Sequence, residues 1–97
     1  MLEAQAVGVA DQIGQEVWAA TTALASAGEA VRQATETRSE AEQSVAFARA
    51  RYEAGAGTLN DLLDAESALT QAETSLVAAE LSYRLATALV ERAQGQL

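Results

Sequence analysis

The stretch Arg51–Glu66 reads RYEAGAGTLNDLLDAE. It decides the fold, because it holds Gly55 and Gly57 between two long segments that otherwise read as unbroken helix. Gly55 supplies a left-handed residue where a helix ends, without steric strain. Thr58 then opens a new helix. Its hydroxyl can accept from the backbone N–H of Asp61 and Asp61 can reach back, a capping box with Asp in place of Glu. AGAGT is therefore a tight reversal, and Asp61 also sits in the first turn, where the helix dipole favours a negative charge.

Working outward, the two flanks carry the same seven-residue rhythm. Downstream, Leu62, Leu69, Leu76, Tyr83 and Val90 recur at heptad spacing, each followed three residues later by an alanine (Ala65, Ala72, Ala79, Ala86, Ala93). Upstream, Val17, Leu24, Val31, Arg38, Val45 and Tyr52 keep the interval, with Ala20, Ala27, Ala34, Ala41 and Ala48 three residues on. These are a and d seams of an antiparallel coiled coil. The alanine rows let the two axes come close.

Composition agrees. Of 97 residues, 24 are alanine and none is proline, which would break a helix at a cost of about 3 kcal/mol. The fold class is all-α: a long two-helix hairpin, with helix one at about 2–54, the turn at 55–58 and helix two at about 59–94. At 1.5 Å per residue the helices are about 80 and 55 Å long. Gly8, Gly14 and Gly28 fall inside helix one, and the first two predict fraying or a bend near its start. Pairing about the turn leaves residues 1 to about 15 without a partner in this chain. Trp18, Ala25, Phe47, Leu63, Val77, Leu81, Leu85 and Leu89 fall off the seam rows and predict a second apolar stripe, hence assembly with further hairpins and self-association of the chain alone.

Several functions are excluded or disfavoured by composition. The net charge is −8, with six Arg, spread along the chain, and no Lys, which disfavours nucleic acid as a partner, since phosphate backbones need clustered cations. There is no His and no Cys, so there is no zinc site, no Ser/His or Cys/His pair and no disulfide. The longest uncharged run, Val17–Gly28, is too short for a membrane helix, which needs about 20 residues. The first sixteen residues lack the pattern of a signal peptide, and the chain reads as soluble. No cofactor and no enzymatic activity are expected. Asp61 and Asp64 could attract a hard cation, but two carboxylates with no converging ligands make a poor site.

Asp64 lies one turn beyond Asp61, so both carboxylates share a face near the reversal. At this point the chain resembles the TolC-type outer-membrane efflux proteins, whose hairpins carry R-Y-x-x-G-x-x-T-x-x-D-x-L-D-A at the periplasmic tip. The match runs through Arg51, Tyr52, Gly55, Thr58, Asp61, Leu63, Asp64 and Ala65. It continues as L-x-x-A-x-x-x-L-x-x-A-x-x-x-Y from Leu69 to Tyr83 and closes with Ala93 and Gly95 as A-x-G. Upstream, EVWAATTALASA resembles the family's E-V-x-x-A-x-x-x-L-x-x-A. The resemblance covers about residues 10–97.

It implies one hairpin, the second of two repeats, of a trimeric channel whose hairpins form a periplasmic tunnel beneath a β-barrel that this chain lacks. It further implies export by efflux or type I secretion, with the tip docking a periplasmic adaptor and an inner-membrane pump. By motif, Asp61 and Asp64 would line the tunnel entrance and Tyr52 would help close it. Gly55, Ala56, Gly57 and Thr58 would face the adaptor. Some members carry an Arg latch in the turn where this chain has Gly57, although Arg51 is near. Two other readings stand beside this one. ESX-type secreted proteins are also small acidic helical hairpins, but are marked by Trp-x-Gly in the turn, whereas the one tryptophan here is Trp18. A purely structural or designed coiled coil would rarely leave three glycines inside a helix.

Overall fold

Two heptad rows, each pairing a large residue with an alanine, zip into one seam. The computed structural model describes the backbone from Leu2 to Gly95 and the side chains from Gln12 to Gly95. It is an antiparallel hairpin of α1 (Leu2–Glu53) and α2 (Leu59–Gly95), with overall dimensions of 79 × 18 × 14 Å. The end of α1 falls one residue before the expected Ala54, whose N–H still bonds to the Ala50 carbonyl at 3.0 Å. α1 exceeds α2 by 15 residues (52 against 37), so its first turns run past the end of its partner. The fraying or bend expected near Gly8 and Gly14 does not interrupt the helix, and α1 runs through both.

The seam is where the sequence rows put it. Val45, Leu62, Ala72, Leu76 and Ala86 are buried, and the remaining seam residues from Val17 to Ala93 are half-buried except the two tyrosines. Ile13 continues the alanine row of α1 by one heptad and is also half-buried. Tyr52 and Tyr83 are too large to be enclosed between two helices. Tyr83 lies across α1 at Gly28, where an added Cβ would meet its ring at 3.5 Å. That contact gives Gly28 its place in mid-helix, where glycine otherwise costs about 1 kcal/mol against Ala.

Arg38 interrupts the apolar row of α1. Its Nε is enclosed without a hydrogen-bond partner, 3.4 Å from Glu42 Oε1. A single polar residue in an apolar seam fixes register at a cost in stability. Among the described residues one cross-helix ion pair, Arg49 Nη2 to Glu66 Oε1 at 3.4 Å, sits on the same side of the rod as Gly28. No helix among the described residues is long and apolar enough to cross a membrane.

Only one stripe per helix is covered by the seam. On α2, Leu63, Val77, Leu81, Leu85 and Leu89 remain between 49% and 65% exposed. On α1, Trp18 and Phe47 are 71% and 66% exposed. The outward edge of α1 between them is charged. There Arg32 donates through Nε to both Glu29 oxygens at 3.1 Å and through Nη1 to Glu36 at 2.7 Å. The hydrogen bond from Arg32 holds the Glu29 carboxyl below its usual range.

Candidate functional site: the hairpin tip

The reversal begins with Arg51. Its carbonyl, three residues before the C-cap, would be left open at the end of an isolated helix. Here it accepts from the N–H of Ala56 at 2.8 Å and of Gly57 at 3.0 Å, while Gly55 N–H bonds to Tyr52 O at 3.1 Å. Gly55 has φ of +75°. This is the full Schellman pattern, with glycine at the left-handed position. Gly55→Ala forces a Cβ into that conformation, at a cost of about 1–2 kcal/mol. The expected result is a lower urea midpoint with unchanged helicity at low temperature, read by circular dichroism.

The Arg51 side chain folds over the same turn. Its Nη2 donates to the Ala56 carbonyl at 2.9 Å, and its guanidinium lies 5.7 Å from the centroid of the Phe47 ring. A Cβ on Gly57 would stand 3.0 Å from Arg51 Cβ, so glycine is what lets the turn close onto this side chain. Arg51 therefore ties the turn from within α1, although Gly57 stands where some members of the resembled family carry an arginine.

On the far side of the turn the capping box is formed. Asp61 N–H donates to Thr58 Oγ1 at 3.1 Å and Thr58 N–H donates to Asp61 Oδ2 at 3.3 Å. Asp61→Ala removes one of these and the favourable dipole contact, an expected loss of about 1 kcal/mol in denaturant titration. Asp64→Ala leaves both bonds in place and is expected to leave stability within about 0.5 kcal/mol.

No protein-family model, curated protein or solved structure matches this chain.

The tip therefore rests on its own geometry. Asp61 and Asp64 are both exposed and lie one helical turn apart. Heptad position puts them on the side of the rod that also carries Arg51 and Phe47, opposite the Arg49–Glu66 pair. Tyr52 is 43% exposed at the last seam position before the reversal. Ala56 and Thr58 are exposed at the apex, with Gly57 half-buried beneath Arg51. The arrangement brings the two aspartates, Tyr52 and the turn to one end of the rod. It brings no third acidic side chain to them, and among the described residues no group of three or more acidic side chains could hold a metal ion.

Further from the apex, on the aspartate side of the rod, an open groove of about 460 Å³ runs between the helices, lined by Thr37, Glu40, Ser44, Ala68, Gln71 and Ser75 among others. Glu40 is its one charged wall residue, in contrast to the opposite side with Glu42, Arg49, Glu66, Glu73 and Glu80. Of these features, the role of Arg51 was the least visible in the sequence. The only signal is the i, i+4 spacing of Phe47 and Arg51, which suits a stacked pair on one helix face.

Proposed function

We propose that this chain is one periplasmic tunnel hairpin of a TolC-type outer-membrane channel for efflux or type I secretion, with its tip forming the acidic entrance of the tunnel and docking a periplasmic adaptor and, with it, an inner-membrane pump. The reading combines the motif resemblance with one structural observation. A 79 Å rod ends in a single internally bonded reversal that displays two exposed aspartates one turn apart. Gly55, Arg51 and the Thr58–Asp61 box fix the turn by hydrogen bonds of its own. Asp64 has no part in those bonds and is left for something outside the hairpin.

In a threefold assembly each aspartate repeats around one axis, so like charges face a common opening. The parent protein would sit in the outer membrane as a homotrimer, with this segment in the periplasm. Its role is conduction and gating, not catalysis, and Tyr52 at the seam end is placed to brace the closed entrance. Planar-bilayer conductance of the full-length trimer tests the reading: Asp64→Ala is expected to lower cation selectivity, and an unchanged selectivity would remove Asp64 from the entrance.

A further inference from the structure

The seam row does not stop at the reversal. Read as one straight helix, the chain carries it across the tip through Tyr52, Gly55, Leu59, Leu62 and Ala65, at steps of 3, 4, 3 and 3 residues. Gly55 stands where the alanine row of α1 would place its next small residue. Leu59 stands where the row of large residues would place its next member. The one irregularity is an insertion of three residues, which a coiled coil absorbs by local overwinding. The hairpin leaves this part of the row unused. Leu59 is 50% exposed at the start of α2, and Gly55 is spent on the left-handed position of the turn, with φ of +75°.

We propose that the hairpin has an exchanged counterpart, a dimer in which two copies straighten through the turn and each α1 pairs with the α2 of the other copy. The seam is the same in both forms. Ala41 and Ala72 line one groove, Tyr83 lies on Gly28 and Arg49 reaches Glu66. Each of these contacts is re-formed between two copies, since the partner helix is identical whichever chain supplies it. At the twofold axis the exchange adds layers that the hairpin lacks. Counting the same register on through the tip sets Leu59 of each copy against Gly55 of the other, where the missing side chain leaves room for the leucine. The contact runs through the seam, so it is distinct from association by the outer apolar stripe, and it does not draw on the channel reading.

Because the seam is common to both forms, the turn decides between them. Three contacts exist only in the bent chain: the Arg51 carbonyl with the N–H groups of Ala56 and Gly57, Arg51 Nη2 with the Ala56 carbonyl, and the Thr58–Asp61 cap. A short connection also presents α2 to α1 at an effective concentration in the millimolar range, so the parent chain is a hairpin at micromolar concentration. An alanine at Gly55 is penalised in the left-handed turn and favoured in a straight helix, which shifts the balance by about thirtyfold for each turn. Gly57→Ala adds about fivefold through helix propensity. A dimer contains two straightened turns, so these factors enter squared, and the double variant favours the exchanged form by on the order of ten-thousandfold.

A cysteine pair reads the exchange directly, since the chain has no cysteine of its own. With Ala41→Cys and Ala72→Cys, oxidation joins the two positions within one chain in the hairpin and between two chains in the exchanged dimer. Copies held together by their outer edges keep the bond within each chain. Refolded from urea at about 100 µM and oxidised, the Gly55→Ala/Gly57→Ala variant is expected to run as a covalent dimer on a denaturing gel without reductant, whereas the parent turn gives a monomer. Before oxidation, small-angle scattering should give the variant a length of about 140 Å, against 79 Å for the hairpin. Adding Leu59→Glu is expected to return the variant to a monomer, because it places carboxylates in the crossing while position 59 is half exposed in the hairpin. Should the double variant precipitate, Gly55→Ala alone, shifted about a thousandfold, is expected to give the covalent dimer at about 1 mM. A bond within one chain in both variants would overturn the exchange, and a covalent dimer that survives Leu59→Glu would overturn the crossing at Leu59 and Gly55.

Discussion

Leu76→Ala is expected to lower the stability of the hairpin by about 2–5 kcal/mol, while Leu81→Ala, five residues on in the same helix, is expected to change it by less than about 0.5 kcal/mol. The two residues are the same amino acid and differ in heptad position. Leu76 is 6% exposed in the seam and Leu81 is 58% exposed on the outer edge. Truncating Leu76 removes apolar contact with α1 and leaves a gap that two rods, joined at one end, close only by shifting along each other. The loss is large against the whole, because no side chain in the described hairpin is fully buried and domains hold only about 5–15 kcal/mol in total. In a thermal scan followed by helical circular dichroism, Leu76→Ala should melt about 10 °C or more below the parent. Measurements belong at low micromolar concentration, where the outer edge is free. Equal losses from both substitutions would mean that the helices do not pair through this seam.

The contrast between those two leucines also shows what was legible in the sequence. The heptad rows gave each its place, and the reversal followed from Gly55 and from the Thr58–Asp61 spacing. Both signals are local: a period read along one helix, and a turn read over four residues. The continuity of α1 over about 2–54 was legible from its heptad rows, but the reason for a glycine at position 28 was not. Gly28 acquires its reason only when Tyr83 is laid across it from the other helix. The clasp by Arg51 was hidden for the same cause. It depends on where the Ala56 carbonyl points after the reversal, and spacing along a helix does not encode that direction. The Arg49–Glu66 pair follows from the turn, which sets the register between the helices, but which of the charged side chains near that level meet was not read from the sequence. At the tip, the exposure of Asp61 and Asp64 was legible from their position outside the a and d rows. Their neighbours in an assembly are not encoded in one hairpin.

On the channel reading proposed above, Asp64→Ala in a full-length trimer is expected to reduce cation-over-anion selectivity at low salt by several-fold, on the order of tenfold where the opening is narrow. In the proposed threefold assembly, three carboxylates around one axis would act as a single focused charge, since low-dielectric walls concentrate their field. Salt screens that field, so the difference between parent and variant should shrink as ionic strength rises towards 1 M, where the screening length is about 3 Å. Block by multivalent cations should weaken in parallel. Asp61→Ala separates the two roles of acidic groups at the tip. Its carboxylate accepts from Thr58 N–H, so the substitution removes a charge from the tip and loosens the start of α2 together. Asp61→Asn keeps an acceptor for that bond while removing the charge, and should shift selectivity with a smaller loss of stability than Asp61→Ala. Asp64 makes no such bond, so Asp64→Ala should move selectivity with no change in the melting of the isolated hairpin. If Asp64→Ala left selectivity and multivalent block unchanged while Asp61→Ala still cost its cap, the tip carboxylates would be solvated surface and helix cap, and the entrance would lie elsewhere on the rod.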